Sequence, residues 1–222
     1  MRDNNPEYLS ENKRGALSMV YQLIHDQSSS GVRDNLVETD GDYNKVTIAD
    51  MTPDGGKKIS NTQFKVGRAI KPDHLPTRLK RDHKRSDPLE DYMPAAKGAS
   101  YVSTAFKALV EQFEPGVHQF FEMAVKSGKR DAGIVYYFVV TNRIDALDHA
   151  ACVPPIGPND RLYTPNYDPD DKIVFSKSQI GSAHIWSEKR ELGIFMTDAF
   201  HDALFANGLT GAKDSVHFEE TP

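Results

Sequence analysis

Helical spacing of apolar residues is clearest in the stretch YVSTAFKALVEQFEPGVHQFFEM at 101–123. Its apolar residues recur at i, i+3, i+4 and i+7, which places them on one side of a helix. They are Phe106, Leu109, Val110 and Phe113. Ser103 or Thr104 can accept hydrogen bonds from the first free backbone N–H groups, and a Pro-Gly pair ends the pattern. We predict a short amphipathic helix, followed by a strand that carries His118.

A second stretch, LGIFMTDAFHDALFANGLTG at 192–211, repeats this logic. A short apolar strand leads to Thr197 or Asp198 as the helix cap, and Gly208 closes the helix. Leu209 is then placed to contact Leu204, as in a Schellman ending. The two stretches predict similar local architecture, with a strand, a capped helix, a turn and a further strand.

Alternating or continuous apolar runs predict strands in the rest of the chain. The run IVYYFVVTNRI is apolar on both faces, which favours a central position in a sheet. The predicted strands lie at 45–50, 62–70, 117–125, 134–144, 172–180, 183–190 and 215–220, and 17–24 is predicted as a strand or a short helix. Those at 45–50 and 62–70 are expected to form a hairpin across the turn TPDGGKK.

These elements predict an α+β fold, with a mixed, mainly antiparallel sheet and a few short helices packed on it. We expect a strand-rich N-terminal portion with a loose polar arm at 1–70 and an α+β domain at 71–222. Together they are expected to form one compact unit, because 222 residues suffice for a single large core.

Composition and charge narrow the class of protein. The formal net charge of −5 disfavours generic binding to nucleic acid or to anionic membranes. The longest apolar run, IVYYFVV, is too short to span a bilayer, so we expect no membrane association. One cysteine, Cys152, excludes an internal disulfide and fits a reducing compartment, which favours the cytoplasm.

A basic stretch at 65–85 carries eight Lys and Arg residues against two Asp. Runs of charge are most often solvated, so we interpret RLKRDHKRSDP as a connector. Contact with nucleic acid through this stretch is the lesser alternative.

Common catalytic motifs are absent from the sequence. The histidines are scattered singly, without the spacing of a zinc site, and Cys152 is interpreted as a small buried hydrophobe. We therefore predict no catalytic residue, no metal ligand and no cofactor. The single tryptophan, Trp186, is either a core residue or an interface anchor.

The segment TNRIDALDHA at 141–150 is the strongest candidate for a functional site in the sequence. Four of its residues lie at the C-terminal end of the predicted central strand, namely Arg143, Asp145, Asp148 and His149. We predict that they serve structure or contact a partner, since Asp commonly caps turns. A small metal-dependent hydrolase that uses Asp145, Asp148 and a histidine is the alternative function.

Taken together, three segments resemble the bacterial polymorphic-toxin immunity proteins first described from a myxobacterial protein. The segments are DYMPAAKGASYVSTAFKALVEQFEPGVHQFFEMAV, YYFVVTNRIDALD and LGIFMTDAFHDALFANGLTG. The resemblance covers about residues 71–220, and it implies no catalytic motif for this sequence.

The resemblance implies a cytoplasmic, non-enzymatic protein that binds and neutralises a cognate secreted toxin, which is encoded nearby. A contact-dependent or type VI secretion effector is the implied class of toxin. The oligomeric state stays open.

Overall fold

In the computed structural model, residues 18–26, 36–53, 66–81, 88–157, 170–190, 193–214 and 217–222 are described. Their strands are β1 Met19–Gln22, β2 Leu36–Glu38, β3 Arg78–Arg81, β4 Tyr92–Pro94, β5 Ser100–Val102, β6 Gln119–Ser127, β7 Arg130–Val139, β8 Arg143–Ile144, β9 Val174–Ser176, β10 Ile185–Glu188, β11 Ile194–Thr197 and β12 His217–Thr221. Their α-helices are α1 Thr104–Phe113, α2 Lys177–Ile180 and α3 Asp198–Ala206. The predicted α+β class with short helices agrees with this structure, which is dominated by sheet.

Six strands form a sheet in the order β8-β10-β11-β1-β12-β9. The chain that follows β8 pairs with β9, because Asp148 N donates to Val174 O at 2.8 Å and Ser176 N donates to Ala146 O at 2.8 Å. These bonds join the two edge strands of the sheet. We call it the closed sheet.

The other six strands form a sheet in the order β2-β3-β6-β7-β5-β4. Its centre is the long hairpin of β6 and β7, and β7 lies between β6 and β5, so the predicted central position is confirmed. Within the described ranges, β2 and β4 are not joined to each other. We call it the open sheet.

Three clusters of buried apolar residues pack against and between the two sheets. One side of the open sheet packs on loop residues such as Tyr43 and Ile70. The other side meets α1, α3 and the closed sheet, with Phe106 and Phe200 fully buried at the centre. The interior of the closed sheet forms the third cluster, which contains Trp186. Trp186 is therefore a core residue.

Both predicted helices have the predicted ends. The Ser103 hydroxyl accepts from Phe106 N in α1, and the Thr197 hydroxyl accepts from Phe200 N in α3. Each bond satisfies a backbone N–H that has no partner inside the helix. Gly208 adopts a φ of 67° and Leu209 N donates to Leu204 O, which gives the predicted Schellman ending.

Three predictions about local structure are corrected. RLKR at 78–81 is not a connector but strand β3, because its alternation buries Leu79 and Arg81 on one face and exposes Arg78 and Lys80 on the other. In 172–180 only Val174–Ser176 is a strand, and helix α2 follows it directly. Of the hairpin expected from 45–50 and 62–70, the described residues show an isolated antiparallel bridge between Ile48 and Ile70, and residues 62–65 lie outside the described part of the chain.

Most of the turn TPDGGKK and the polar N-terminal arm lie outside the described residues, so these two predictions are not tested.

The strands are divided between two sheets, where the sequence predicted a single sheet. Periodicity reveals strands but not their partners, and β1 pairs with strands from the far end of the chain.

No helix in the described part of the chain is both long and apolar enough to cross a bilayer.

Candidate functional site

Two of the four predicted partner-binding residues lie in one cluster at the end of β8. Asp145 accepts from His149 Nε2 at 2.8 Å and from Arg190 Nε at 3.1 Å. Asp145, His149, Arg190 and the neighbouring Glu188 are called the polar ridge. Glu188 and Arg190 come from the end of β10, which pairs in parallel with β8.

Glu188 is the buried member of the polar ridge. Its carboxyl accepts from Ala146 N at 2.8 Å and from Arg190 N at 3.0 Å. Burial raises the pKa of Glu188 to about 7, although these backbone bonds oppose the rise and nearby Asp145 adds to it. The ridge therefore contains a carboxyl group that titrates near neutral pH.

The other two predicted residues are held by separate contacts. Asp148 accepts from the Thr221 hydroxyl at 2.9 Å and from the N–H groups of Ala150 and Ala151 in the turn. The Thr221 hydroxyl and these turn bonds hold the pKa of Asp148 below its usual value. Arg143 Nη1 donates to Val66 O at 3.1 Å.

Gly67 allows the close approach of chain that this Arg143 contact needs. A Cβ on Gly67 would lie 2.6 Å from Asn142 O, and the residue has a φ of 74°. Arg143 thus fastens the Val66 loop to the start of β8.

The polar ridge is largely satisfied within the chain. Each of its carboxylates has at least two donors, and Asp145 and Asp148 have different partners. In the described ranges no three His, Cys, Asp or Glu side chains are grouped as metal ligands would be. The arrangement gives the hydrolase alternative no observation in its favour, and the contact role of Arg143, Asp145, Asp148 and His149 stays a prediction.

A second polar cluster joins the two sheets around Glu114, directly after α1. Glu114 accepts from His118 Nε2 at 2.7 Å and from Asn142 Nδ2 at 2.8 Å. It also accepts from the backbone N–H groups of His184 and Ile185, at 3.0 and 3.1 Å. Because Glu114 and His118 flank the open sheet while Ile185 begins β10, these bonds tie the open sheet to the closed sheet.

The His118 tautomer follows from its two contacts. Thr141 N donates to His118 Nδ1 at 3.2 Å, so the ring proton is on Nε2 and is donated to Glu114. Burial raises the pKa of Glu114, but the bonds from His118 and the two backbone groups outweigh it and hold the pKa below its usual value. His118 is a strand-end hydrogen-bonding group, and the cluster is a structural joint.

A comparison with protein families matches the immunity protein family Imm11 over residues 18–216. The match spans most of the 222-residue chain and includes strands of both sheets. The chain belongs to the Imm11 immunity protein family. No curated protein matches it.

The extent of the Imm11 match corrects the predicted likeness. The sequence suggested that the family resemblance begins near residue 71, whereas the match begins at residue 18. Strand β1 explains why the earlier segment belongs with the rest, since it is the partner of both β11 and β12. Membership supports a toxin-neutralising role, and immunity families are in general non-enzymatic.

In this Imm11 chain the single thiol is buried in the closed sheet, as predicted. Cys152 is 1% exposed, and its sulfur lies 3.5 Å from Val174 N and 3.6 Å from Val174 O. Burial raises the pKa of the Cys152 thiol, which disfavours the reactive thiolate.

Sequence reasoning missed a cleft of about 640 Å³ between the end of β1 and the β4–β5 hairpin. His25 in its wall stacks on Tyr92, with ring centroids 4.1 Å apart, and lies 3.5 Å from the Ser100 hydroxyl. His25 is one of eight scattered histidines in the sequence, so its position gave no signal. The cleft is large enough to receive a few side chains of a bound molecule.

Proposed function

We propose that this protein protects the cell that makes it by binding one cognate secreted toxin and blocking it stoichiometrically. The observation that carries the proposal is the Imm11 family match across residues 18–216. The toxin would be encoded near this gene and delivered by a contact-dependent or type VI system. Binding would take place in the cytoplasm, where a reduced, buried Cys152 is stable.

The architecture supports inhibition by a rigid, preorganised surface. The closed sheet has its edges joined, and Glu114 links the open sheet to it by accepting from the backbone N–H groups of His184 and Ile185 at the start of β10. A surface held in this way loses little conformational entropy on binding, so more of the contact energy remains as affinity.

Two finer expectations are part of the proposal. Arg143, Asp145, Asp148 and His149 would form a second region that contacts the toxin. The chain would be organised as a strand-rich N-terminal portion at 1–70 and an α+β domain at 71–222.

Co-expression tests the proposed function. We expect cells that produce the toxin encoded beside this gene to stop growing, and to grow again when this protein is co-produced. With a catalytically inactive toxin, size-exclusion chromatography with light scattering should show a complex of defined stoichiometry. Failure of both rescue and complex formation would contradict the proposed function.

A further inference from the structure

The open sheet has an outward side that α1 covers only in part. Phe106 of α1 packs edge-on against Phe138 of β7, with ring centroids 5.9 Å apart. Farther along the hairpin and across β3 to β2, that side carries exposed residues. We call it the open face, and it comprises Val37, Arg78, Lys80, Phe120, Glu122, Ala124, Lys126, Ile134 and Tyr136.

Strand register places these residues on one side of the sheet. Val37 is opposite Lys80, and Lys80 is opposite Lys126. Ala124 is opposite both Arg78 and Ile134, and Glu122 is opposite Tyr136. Residues opposite each other on neighbouring strands point to the same face, so the set is continuous.

The centre of the open face is apolar and exposed. Ile134 in the hairpin is 47% exposed, while Val37, which is 46% exposed, lies three strands away at the edge of the face, beyond β6 and β3. Ala124 beside Ile134 is also exposed. Grouped exposed apolar residues on one sheet side are typical of a surface that binds another protein.

An aromatic platform borders this centre. Lys107 Nζ of α1 lies 4.4 Å from the centroid of the Tyr136 ring and 5.6 Å from that of Phe120. Both rings are half-buried, and Phe120 is held by stacking on Phe138 with ring centroids 4.9 Å apart. Fixed aromatic side chains are the kind that carry most of the energy in protein interfaces.

The charges around the centre define what the partner must offer. Arg78 is neutralised by Asp40 at 3.2 Å, and Lys126 is neutralised by Asp131. Lys80 and Lys107 have no carboxylate partner among the described residues, and Glu122 is the acidic member of the face. A partner with an apolar centre and carboxylates facing Lys80 and Lys107 would complement this surface.

We propose that the open face is the docking surface for the toxin, which would present an apolar patch bordered by acidic side chains. This inference rests on the proposed function. Among the residues that the structure describes, the closed sheet offers no comparable apolar side, because its inner face is filled and its outer face meets α3 and the cluster shared with the open sheet.

The test uses matched substitutions and the inactive toxin encoded beside this gene as the probe. Ile134→Asp places a carboxylate in the apolar centre, and Val37→Asp places one at the edge of the open face. Val153→Asp is the control, because Val153 is 44% exposed outside the open face. Lys80→Glu reverses one charge at an exposed position of β3. Calorimetry measures the dissociation constant of each variant, and thermal unfolding checks that each is folded.

We expect Val37→Asp and Ile134→Asp each to raise the dissociation constant at least tenfold, and Val153→Asp to change it less than twofold. Lys80→Glu should raise it about threefold at low salt and less at high salt, since salt screens exposed charges. Lys80→Glu keeps the test decisive if an apolar-to-acid variant fails to fold.

The outcomes separate the two proposals. If the wild-type protein neither binds the toxin nor protects cells, the proposed function fails. If the wild type binds and all open-face variants bind equally well, the docking surface is wrong while the function stands. Variants that bind toxin normally but lose self-association in light scattering would assign the open face to a second copy of this chain and also overturn the proposal.

Discussion

The two sheets differ in how they bury their apolar side chains. The closed sheet joins its edges and fills its interior with Phe175, Trp186 and Phe195, all fully buried. The open sheet buries one side and leaves part of the other exposed, with Val37 and Ile134 uncovered. The buried apolar residues of the closed sheet therefore stabilise the fold, whereas the open sheet keeps exposed apolar side chains that add nothing to a core.

The charged side chains of the two sheets also differ in how completely they are paired within the chain. The polar ridge at the edge of the closed sheet pairs its charges internally, and Arg190 is only 11% exposed there. Lys80 and Lys107 on and beside the open face have no carboxylate partner within the described ranges. A surface whose charges are already satisfied gains less from a partner than one whose charges are available.

The largest expected effect concerns the core of the closed sheet. Phe175→Ala removes a ring that contacts Trp186, Phe195 and Phe218, so the free energy of unfolding should fall by about 3–5 kcal/mol. Val37→Ala on the open face should change it by less than about 0.5 kcal/mol. Urea unfolding of both variants checks the contrast, and equal losses would remove the distinction between the two sheets.

The next effect is the pH dependence of stability from Glu188. Its folded pKa is raised from 4.5 to about 7, so the folded state binds a proton more tightly than the unfolded state does. The carboxyl therefore favours folding at low pH, and this contribution is lost as the pH rises from about 4.5 to about 7. Its size is up to about 3 kcal/mol.

Glu188→Gln removes this titration, because glutamine does not ionise. The free energy of unfolding of the variant, measured in urea between pH 5 and pH 8, should fall less with rising pH than that of the wild type. Identical pH profiles for the two proteins would show that Glu188 titrates normally in the folded state.

The smallest expected effect concerns the ridge as a contact region. Asp145 is 27% exposed and shares its charge with Arg190 and His149, so Asp145→Ala should lower the free energy of unfolding by less than about 1 kcal/mol. The dissociation constant of the Asp145→Ala variant for the toxin should rise less than that of the Ile134→Asp variant. A larger loss of affinity in Asp145→Ala would move the main contact from the open face to the ridge.

The parts of this structure that sequence predicts well are local. Caps at Ser103 and Thr197 and the ending at Gly208 depend on residues within one turn of each other, so the helices could be predicted with their ends. The His149 contact with Asp145 also spans only four residues.

What could not be predicted depends on pairing between distant segments. Arg190 and Glu188 join the ridge only because β10 pairs with β8. Val37 and Ile134 share a face only because β3 lies between β2 and β6. The alternation in RLKR was the one local signal for β3, and its three basic residues obscured it.

Thiol footprinting tests the docking surface most directly, because the native thiol of Cys152 is 1% exposed and does not compete. Ile134→Cys places a reactive thiol on the open face, and Met51→Cys places one at a site that is 42% exposed elsewhere. We predict that bound inactive toxin slows alkylation of the thiol at position 134 at least tenfold and leaves that at position 51 unchanged. Equal alkylation at position 134 with and without bound toxin would contradict the account.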